Sequence, residues 1–139
     1  MSKIFLIQCS SLNLFGANLG LRTFEWNDET LYKQINALKN QNPNLKLILS
    51  VGGWTHGTGG FALAAKSAAS RKTFAQNAFD FITKHKFDGI DIDWEYPGFE
   101  GGPKGTSTPE EDKKNYVPFL QELKDVFGPY NLLGLDLIY

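Results

Sequence analysis

The sequence predicts an α/β fold, a partial (β/α)8 TIM barrel with about four parallel strands and three helical crossovers. Segments typical of strands and helices alternate with a period of about forty residues, which favours parallel strands joined by right-handed helical crossovers. One predicted strand, at residues 87–97, alternates acidic and apolar side chains. It therefore needs helices on one face and a polar cleft on the other. A doubly wound sheet is the alternative, but it would bury the acidic face under a second layer of helices.

The chain length limits this architecture. A closed eight-stranded barrel needs about 200 to 250 residues, whereas the chain has 139. About four strands leave two sheet edges unpaired and the barrel interior uncovered. We therefore expect residues 1–139 to be the incomplete N-terminal half of a barrel domain, marginally stable and inactive on its own.

Composition and charge narrow the range of partners. Fourteen basic and 15 acidic side chains leave a net charge of −1, which offers no electrostatic reason to expect nucleic acid or a membrane as partner. The single Cys9 rules out an intrachain disulfide bond. The apolar run at residues 4–7 is too short for the hydrophobic region of a signal peptide. A first strand is the better interpretation, and the cellular location stays open.

The first predicted elements are two strands and a helix. Residues 4–8 form a short buried strand, and a long loop follows. A helix capped by Asn27 or Asp28 then runs to about residue 39, because apolar residues recur at i, i+4 and i+7. Residues 45–51 form the second strand, an apolar run bounded by turn residues.

The second half of the chain contains two more helical segments. Residues 61–85 are predicted to be helical in two pieces, with Ser70 as the N-cap of the second piece. After the acidic strand, Thr108 and Glu111 predict a capping box with Pro109 at the first helical position. Pro118 lies inside the apolar pattern of that helix, so we expect a kink or a split there. Residues 132–139 are predicted to form the fourth strand.

Three carboxylates share one face of the acidic strand. Asp91, Asp93 and Glu95 project to one side, and the apolar side chains between them project to the other. Carboxylates two residues apart repel when both are ionised, so at least one should hold its proton near neutral pH. A protonated carboxylic acid beside ionised ones is what cleavage of a glycosidic bond requires. Glu95 has the longest side chain and lies nearest the end of the strand, so it is the preferred proton donor.

Other interpretations of the polar residues remain. The acids would also suit a buried hydrogen-bonded network or a magnesium-type site. A calcium-binding loop is excluded because it needs Gly where Tyr96 stands, and a phosphate loop at residues 98–106 is rejected for its spacing. No metal or cofactor is expected. His56 and His85 lack partners at ligand spacing, which favours surface roles.

The end of the second strand is predicted to lie beside the acids. Ser50 and Gly52 share the polar face of that strand, opposite its leucine-rich face. Side chains at Gly52 or Gly53 would intrude on the acidic cluster or obstruct the turn. Trp54 stands at the mouth, where it suits either stacking on a sugar ring or packing.

Two segments resemble the signatures of a known family. Residues 88–97, DGIDIDWEYP, resemble the Asp-Gly-x-Asp-x-Asp-Trp-Glu signature of the family 18 chitinases. Residues 50–54, SVGGW, resemble their Ser-x-Gly-Gly-Trp signature. The resemblance covers nearly the whole chain from about residue 4. It implies a (β/α)8 barrel of which this chain holds the second to fifth strands.

The resemblance also implies a role for each residue. Glu95 is similar to the family's general acid. Asp93 resembles the residue that holds the substrate's N-acetyl group, whose carbonyl oxygen is the nucleophile, and Asp91 resembles its buried partner. The implied substrate-binding residues are Trp54, Tyr96 and Gly53, and the residues behind them are Ser50, Gly52 and Asp88.

The substrate that the resemblance implies is chitin or its N-acetylglucosamine oligosaccharides. The β-1,4 bonds would be cleaved with retention and without cofactor or metal, in a family whose members are commonly secreted. A sugar-binding relative without catalytic activity is the alternative, which the complete set of acids disfavours.

Overall fold

The structure, a computed structural model, describes residues 4–9, 18–23, 25–98 and 108–128. Within these residues there are three strands, β1 (Ile4–Cys9), β2 (Lys46–Gly52) and β3 (Gly89–Asp93). Helix α1 (Asp28–Ala37) leads through the 3-10 turn Leu38–Asn40 to β2. The 3-10 turn Trp54–His56, α2 (Gly59–Ala65) and α3 (Ala68–Lys84) connect β2 to β3, and α4 (Pro109–Phe127) follows β3. The predicted fourth strand, residues 132–139, lies outside the described residues.

The described strands form one parallel sheet in the order β1-β2-β3. Consecutive strands are neighbours and each pair is connected through helices, as the alternation in the sequence predicted. The register places Ser50 opposite Asp91 and Gly52 opposite Asp93. All three strands point the same way, so their carboxyl ends meet at one edge of the sheet.

The hydrophobic core lies between the sheet and the helices. From the strands, Leu47, Leu49, Val51, Ile90 and Ile92 are buried in it. Helix α4 contributes Phe119, Leu123 and Phe127, a stripe that repeats every four residues and faces the core. Burial of each such side chain stabilises the fold by about 1.5–3 kcal/mol. The alternate residues of the strands therefore face away from the helices, which is where the acids lie.

Trp94 extends this alternation past the end of β3. Its indole is buried and stacks on Phe61, with ring centroids 5.5 Å apart, and it meets Tyr116 and Phe119 edge to face. The predicted strand thus ends earlier than expected, at Asp93. The side-chain pattern nevertheless persists, because the core takes up Trp94.

The helix between β2 and β3 breaks where predicted, but its cap is different. Ser67 is the N-cap of α3, and its side chain accepts a hydrogen bond from the N–H of Ser70. Ser70 lies at the third helical position, where its hydroxyl accepts a hydrogen bond from the N–H of Ser67. The prediction of Ser70 as N-cap is therefore wrong by three residues. Either serine suits a cap by type, and a serine completes this capping box where the usual pattern has Glu or Gln.

Helix α4 begins as predicted, with a capping box between Thr108 and Glu111 and with Pro109 in the first turn. It then runs without interruption through Pro118, so of the expected kink or split the split does not occur. Pro118 is exposed, and the carbonyl group that loses its helical partner there lies where water reaches it.

In the part of the chain that the structure describes, no helix combines the length and hydrophobicity needed to span a bilayer.

Candidate active site

The candidate site is built where β2 and β3 end. At its base, the hydroxyl of Ser50 donates a hydrogen bond of 2.7 Å to Oδ2 of Asp91. Both side chains are buried, with 6% and 5% of their surfaces exposed. A buried carboxylate is costly unless hydrogen bonds compensate for its lost hydration. Ser50 therefore holds Asp91 in one orientation on the face of the sheet that points away from the helices.

One step towards the strand ends, the two backbones come into close contact at Gly52 and Asp93. The N–H of Gly53 donates a 2.8 Å hydrogen bond to the carbonyl oxygen of Asp93. Gly52 has a φ of +121°, and a Cβ there would lie 2.2 Å from the same oxygen. Only glycine permits this approach. A side chain at Gly52 would therefore clash, but with the backbone of Asp93 and the ring of Phe61, whereas the sequence predicted a clash with the acidic cluster or the turn.

The acids become more accessible towards the mouth. Asp91 is buried, whereas Asp93 and Glu95 are half-buried. Glu95 lies beyond the last residue of β3, and the peptide bond that joins it to Tyr96 is cis. Because Trp94 points into the core, the side chains of Asp93 and Glu95 belong to the opposite face. The result is a series of carboxylates from the interior to the opening.

Tyr96 lies against the outermost acid. The negative charge of Glu95 is the main cause of a raised pKa for the Tyr96 phenol, to which burial, a hydrogen bond with Glu95 and the charge of Asp93 also contribute. The phenol therefore stays protonated at neutral pH and is able to donate to the Glu95 carboxylate. This contact places Tyr96 at the mouth, next to the predicted proton donor.

Two indoles are largely exposed among the residues that the structure describes. Trp54 follows β2 directly and is 56% exposed. Trp26 precedes α1 in the connection that leaves β1, and it is 94% exposed. Sequence reasoning missed Trp26. The available clue was its position between Glu25 and Asn27, before the helical pattern starts, where a large aromatic side chain has no place in the core.

The structure does not bring Asp88 to this group of residues, contrary to expectation. Asp88 precedes β3 and so lies at the amino end of the sheet. Its carboxylate accepts a 2.9 Å hydrogen bond from the N–H of Leu47 and pairs with Lys39 at 2.6 Å and Lys46 at 3.4 Å. Burial raises the pKa of Asp88, but these partners outweigh it and hold the pKa below its usual range. Asp88 thus joins elements at the end of the sheet opposite the acids.

Neither histidine has the exposed position that the sequence favoured. His56 is half-buried against Phe61, with ring centroids 5.5 Å apart. His85 is half-buried between Tyr32 and Phe81. Burial lowers the pKa of each imidazole, so both favour the neutral form.

Comparison with known proteins identifies the family. The sequence profile described as Glycosyl hydrolases family 18 matches residues 2–134. The chain belongs to this family. Among curated relatives, chitotriosidase-1 of Mus musculus is 43% identical over 110 residues, and chitinase A1 of Niallia circulans is 50% identical over 92. These matches cover 79% and 66% of this chain, but the chain spans only 22% and 13% of the two relatives' lengths.

Solved structures agree with the family 18 assignment. The immunomodulatory chitinase TsES1 of Trichuris suis superposes with a TM-score of 0.76 at 32% identity, over 93% of this chain and 34% of that one. Group IV chitinase of Ostrinia furnacalis, solved in complex with allosamidin, gives 0.67 at 35% identity, over 78% of this chain and 28% of that one. The parallel α/β structure of this family 18 chain is accordingly a partial (β/α)8 barrel.

The described residues contain no cluster of metal-ligating side chains. Among residues 4–9, 18–23, 25–98 and 108–128, no three His, Cys, Asp or Glu side chains are grouped so that they would hold a metal ion. Asp91 and Asp93 instead follow one another outwards along β3, and Glu95 comes two residues after its end.

Proposed function

We propose that the protein containing this chain hydrolyses the β-1,4 bonds of chitin, with Glu95 as general acid and with retention at the anomeric carbon. The observation that carries the proposal is a series of carboxylates that runs outwards from Asp91, bonded to Ser50, through Asp93 at the end of β3 to the more accessible Glu95 just beyond the strand. It ends beside an exposed indole at the carboxyl ends of parallel strands, where barrel enzymes place their active sites. The relatives named above are chitinases, and allosamidin is bound to one of them.

The proposed first step breaks the glycosidic bond with the help of the substrate itself. The carbonyl oxygen of the N-acetyl group attacks the anomeric carbon, and the bond to the leaving oxygen breaks as Glu95 gives its proton to that oxygen. Family 18 is among the substrate-assisted exceptions to the scheme in which a second carboxylate is the nucleophile. Asp93 orients the N-acetyl group and supports the positive charge that develops on it.

The second step releases the product. The Glu95 carboxylate takes a proton from water, whose oxygen adds to the anomeric carbon while the bond to the N-acetyl oxygen breaks. Two displacements at one carbon restore its configuration. Both steps use proton transfer and an oxygen of the substrate, so the proposed reaction needs no cofactor.

Other residues at the mouth bind the sugar in this proposal. The exposed face of Trp54 offers a stacking surface for a sugar ring, and Tyr96 offers a phenol beside Glu95. Gly53 leaves room for the sugar above the strand ends. Ser50 and Gly52 act behind the acids, by holding Asp91 and by letting the strand ends approach each other.

Replacing the proton donor tests the proposal in the complete protein. Glu95→Gln is expected to lower kcat on chitin oligosaccharides by about 10²-fold or more, because the amide has no proton of suitable acidity to give. Binding of tetra-N-acetylchitotetraose, measured by calorimetry, should persist. Glu110→Gln is the matched control, since Glu110 is an exposed glutamate in the first turn of α4. Undiminished turnover by Glu95→Gln would refute the role of Glu95.

The second candidate is a sugar-binding protein without hydrolytic activity, which the two exposed indoles would equally suit. The same assay separates the two, because a binding protein retains the tetramer and releases no shorter product. We favour hydrolysis because Asp91, Asp93 and Glu95 are all present and follow one another outwards along β3 and the two residues after it.

A further inference from the structure

His56 lies at the third position of the 3-10 turn that presents Trp54. The backbone N–H of His56 donates a 3.0 Å hydrogen bond to the carbonyl oxygen of Gly53, and the backbone N–H of Gly57 donates a 3.3 Å hydrogen bond to the carbonyl oxygen of Trp54. Gly53 is in turn bonded to the backbone of Asp93. The turn therefore connects an exposed indole to the acidic strand through a short series of backbone contacts.

The imidazole of His56 fixes this turn against the core. It meets Phe61 edge to face, and Phe61 is fully buried and stacks on Trp94. The Nε2 atom of His56 is buried and has no hydrogen-bond partner among the described residues. A neutral imidazole tolerates this position, whereas a protonated one would bring an N–H and a positive charge into an apolar contact without an acceptor.

Among the residues that the structure describes, no charged group near the turn accepts a hydrogen bond from His56. Helix α2 packs on His56 through Phe61 and has the sequence GGFALAA, which contains no charged side chain. At the neighbouring strand end the titratable groups are Asp93 and Glu95. Burial, rather than either of these charges, is the cause of the lowered pKa of His56. Protonation of His56 is therefore opposed by the burial of its imidazole and not by a neighbouring charge.

We propose that His56 is a positioning residue that makes sugar binding at Trp54 dependent on pH. With the imidazole neutral, the turn packs on Phe61 and holds the indole in place at the mouth. With the imidazole protonated, Nε2–H must reach water, the turn leaves Phe61, and the indole loses its fixed orientation. The inference rests on the proposed function, since it concerns the same sugar site.

The direction of the effect follows from the linkage between protonation and packing. The packed turn has the lower histidine pKa, and the open turn has the ordinary value of about 6.5. Packing is at full strength above that ordinary value. The stabilisation of the packed turn weakens as pH falls from the pKa of the open turn to the lower pKa of the packed turn, and it does not change further below the lower pKa. Between these two pH limits, sugar affinity should therefore decrease by up to about tenfold for each pH unit by which the pKa of His56 in the packed turn lies below that in the open turn.

Binding measurements in the Glu95→Gln background test the inference, because hydrolysis does not interfere there. The dissociation constant of tetra-N-acetylchitotetraose is compared at about pH 5 and about pH 7.5. The ratio of the dissociation constant at about pH 5 to that at about pH 7.5 should be smaller by about threefold or more in His56→Phe than in the parent. The phenylalanine keeps an aromatic ring against Phe61 but does not titrate. His85→Phe is the matched control, because His85 is the only other histidine of the chain and lies at the end of α3. Its ratio should equal that of the parent.

An NMR titration of the two imidazoles gives a second measurement that requires no histidine variant. Saturating tetramer should shift the midpoint of the His56 titration to lower pH. The shift should equal the logarithm of the factor by which protonation of His56 weakens sugar binding, since coupling between proton and sugar is reciprocal. The His85 midpoint should not move. Equal ratios in His56→Phe and the parent, or an unmoved His56 midpoint, would overturn the inference while leaving the proposed hydrolase intact. Absence of sugar binding at every pH would instead refute the proposed site.

Discussion

Gly52 is the residue on which the approach of β2 to β3 depends. Its φ of +121° is strained for any residue with a Cβ, and the nearest atom to such a Cβ is the backbone oxygen of Asp93 at 2.2 Å. The next atom is Cε2 of Phe61 at 2.8 Å. Backbone on one side and a buried ring on the other leave little freedom for relaxation.

We expect Gly52→Ala to lower the free energy of unfolding by about 3 kcal/mol, from backbone strain and overpacking together. Urea denaturation of the complete protein measures this change. The control is Gly20→Ala, where a Cβ would meet no described atom closer than 3.8 Å. Equal stability of the two variants would mean that the strand ends separate without cost, and that the contact between Gly53 and Asp93 is not needed for folding.

At the scale of the helices, local chemistry sets the starts and tertiary packing decides how far each helix continues. Thr108 and Glu111 satisfy backbone groups at the start of α4. Further along, Pro118 supplies no N–H for the carbonyl group of Lys114. The helix continues because Phe119, Leu123 and Phe127 on its inner face are buried in the core. Pro118 itself faces outwards.

Pro118→Ala should therefore stabilise the protein by about 1–3 kcal/mol, since it restores a helical hydrogen bond and a good helix former. The change is read from the midpoint and slope of urea unfolding. Val117→Ala serves as control, because Val117 is 71% exposed and its loss should have little effect. A destabilised Pro118→Ala variant would indicate that the proline shapes the helix for its contact with the core.

At the scale of the whole molecule, the two ends of the sheet differ in the polar side chains that they carry. The carboxyl end holds the series of acids and the exposed indole of Trp54. The amino end is joined by Asp88, which contacts the N–H of Leu47 in β2 and the ammonium groups of Lys39 and Lys46. Asp88 thus makes its stabilising contacts at the end of the sheet opposite the acids, which in barrel enzymes is the end that serves stability.

The pH dependence of stability should reveal this contribution. Because the pKa of Asp88 is held low in the folded state, Asp88 contributes stability above the ordinary aspartate value of about 3.9. That stability is lost as pH falls through the lowered pKa. We expect Asp88→Asn to cost about 1–3 kcal/mol at neutral pH, with the difference from the parent shrinking below about pH 4. Thermal unfolding at a series of pH values measures it.

A control for this experiment comes from a glutamate in an exposed ion pair. Glu110 pairs with Lys113 while 87% of its side chain is exposed, and such pairs contribute little. Glu110→Gln should follow the parent at every pH. A pH-independent difference for Asp88→Asn would show that its effect comes from packing and not from charge.

Most of the architecture followed from patterns within the sequence. Apolar runs bounded by turn residues located the first two strands, and the acidic face of β3 was recognisable because side chains in a strand alternate with a period of two. Capping residues located the start of α4. These patterns are local, so a single sequence is sufficient to predict them. The predicted N-cap of α3 was wrong because both Ser67 and Ser70 suit a cap by residue type. The hydrogen bonds that decide which of them is the cap join the two serines to each other.

The sequence by itself determined the parallel α/β order, the acidic face of β3 and the glycines that its neighbour requires. Only the tertiary structure decided which end of the sheet each polar residue occupies. Asp88 is three residues from Asp91, yet the direction of β3 carries it to Lys39 and away from Ser50. The burial of His56 against Phe61 and the exposure of Trp26 were equally undetermined. The physical reason is that burial depends on which elements pack together, and spacing along one strand or helix does not contain that information.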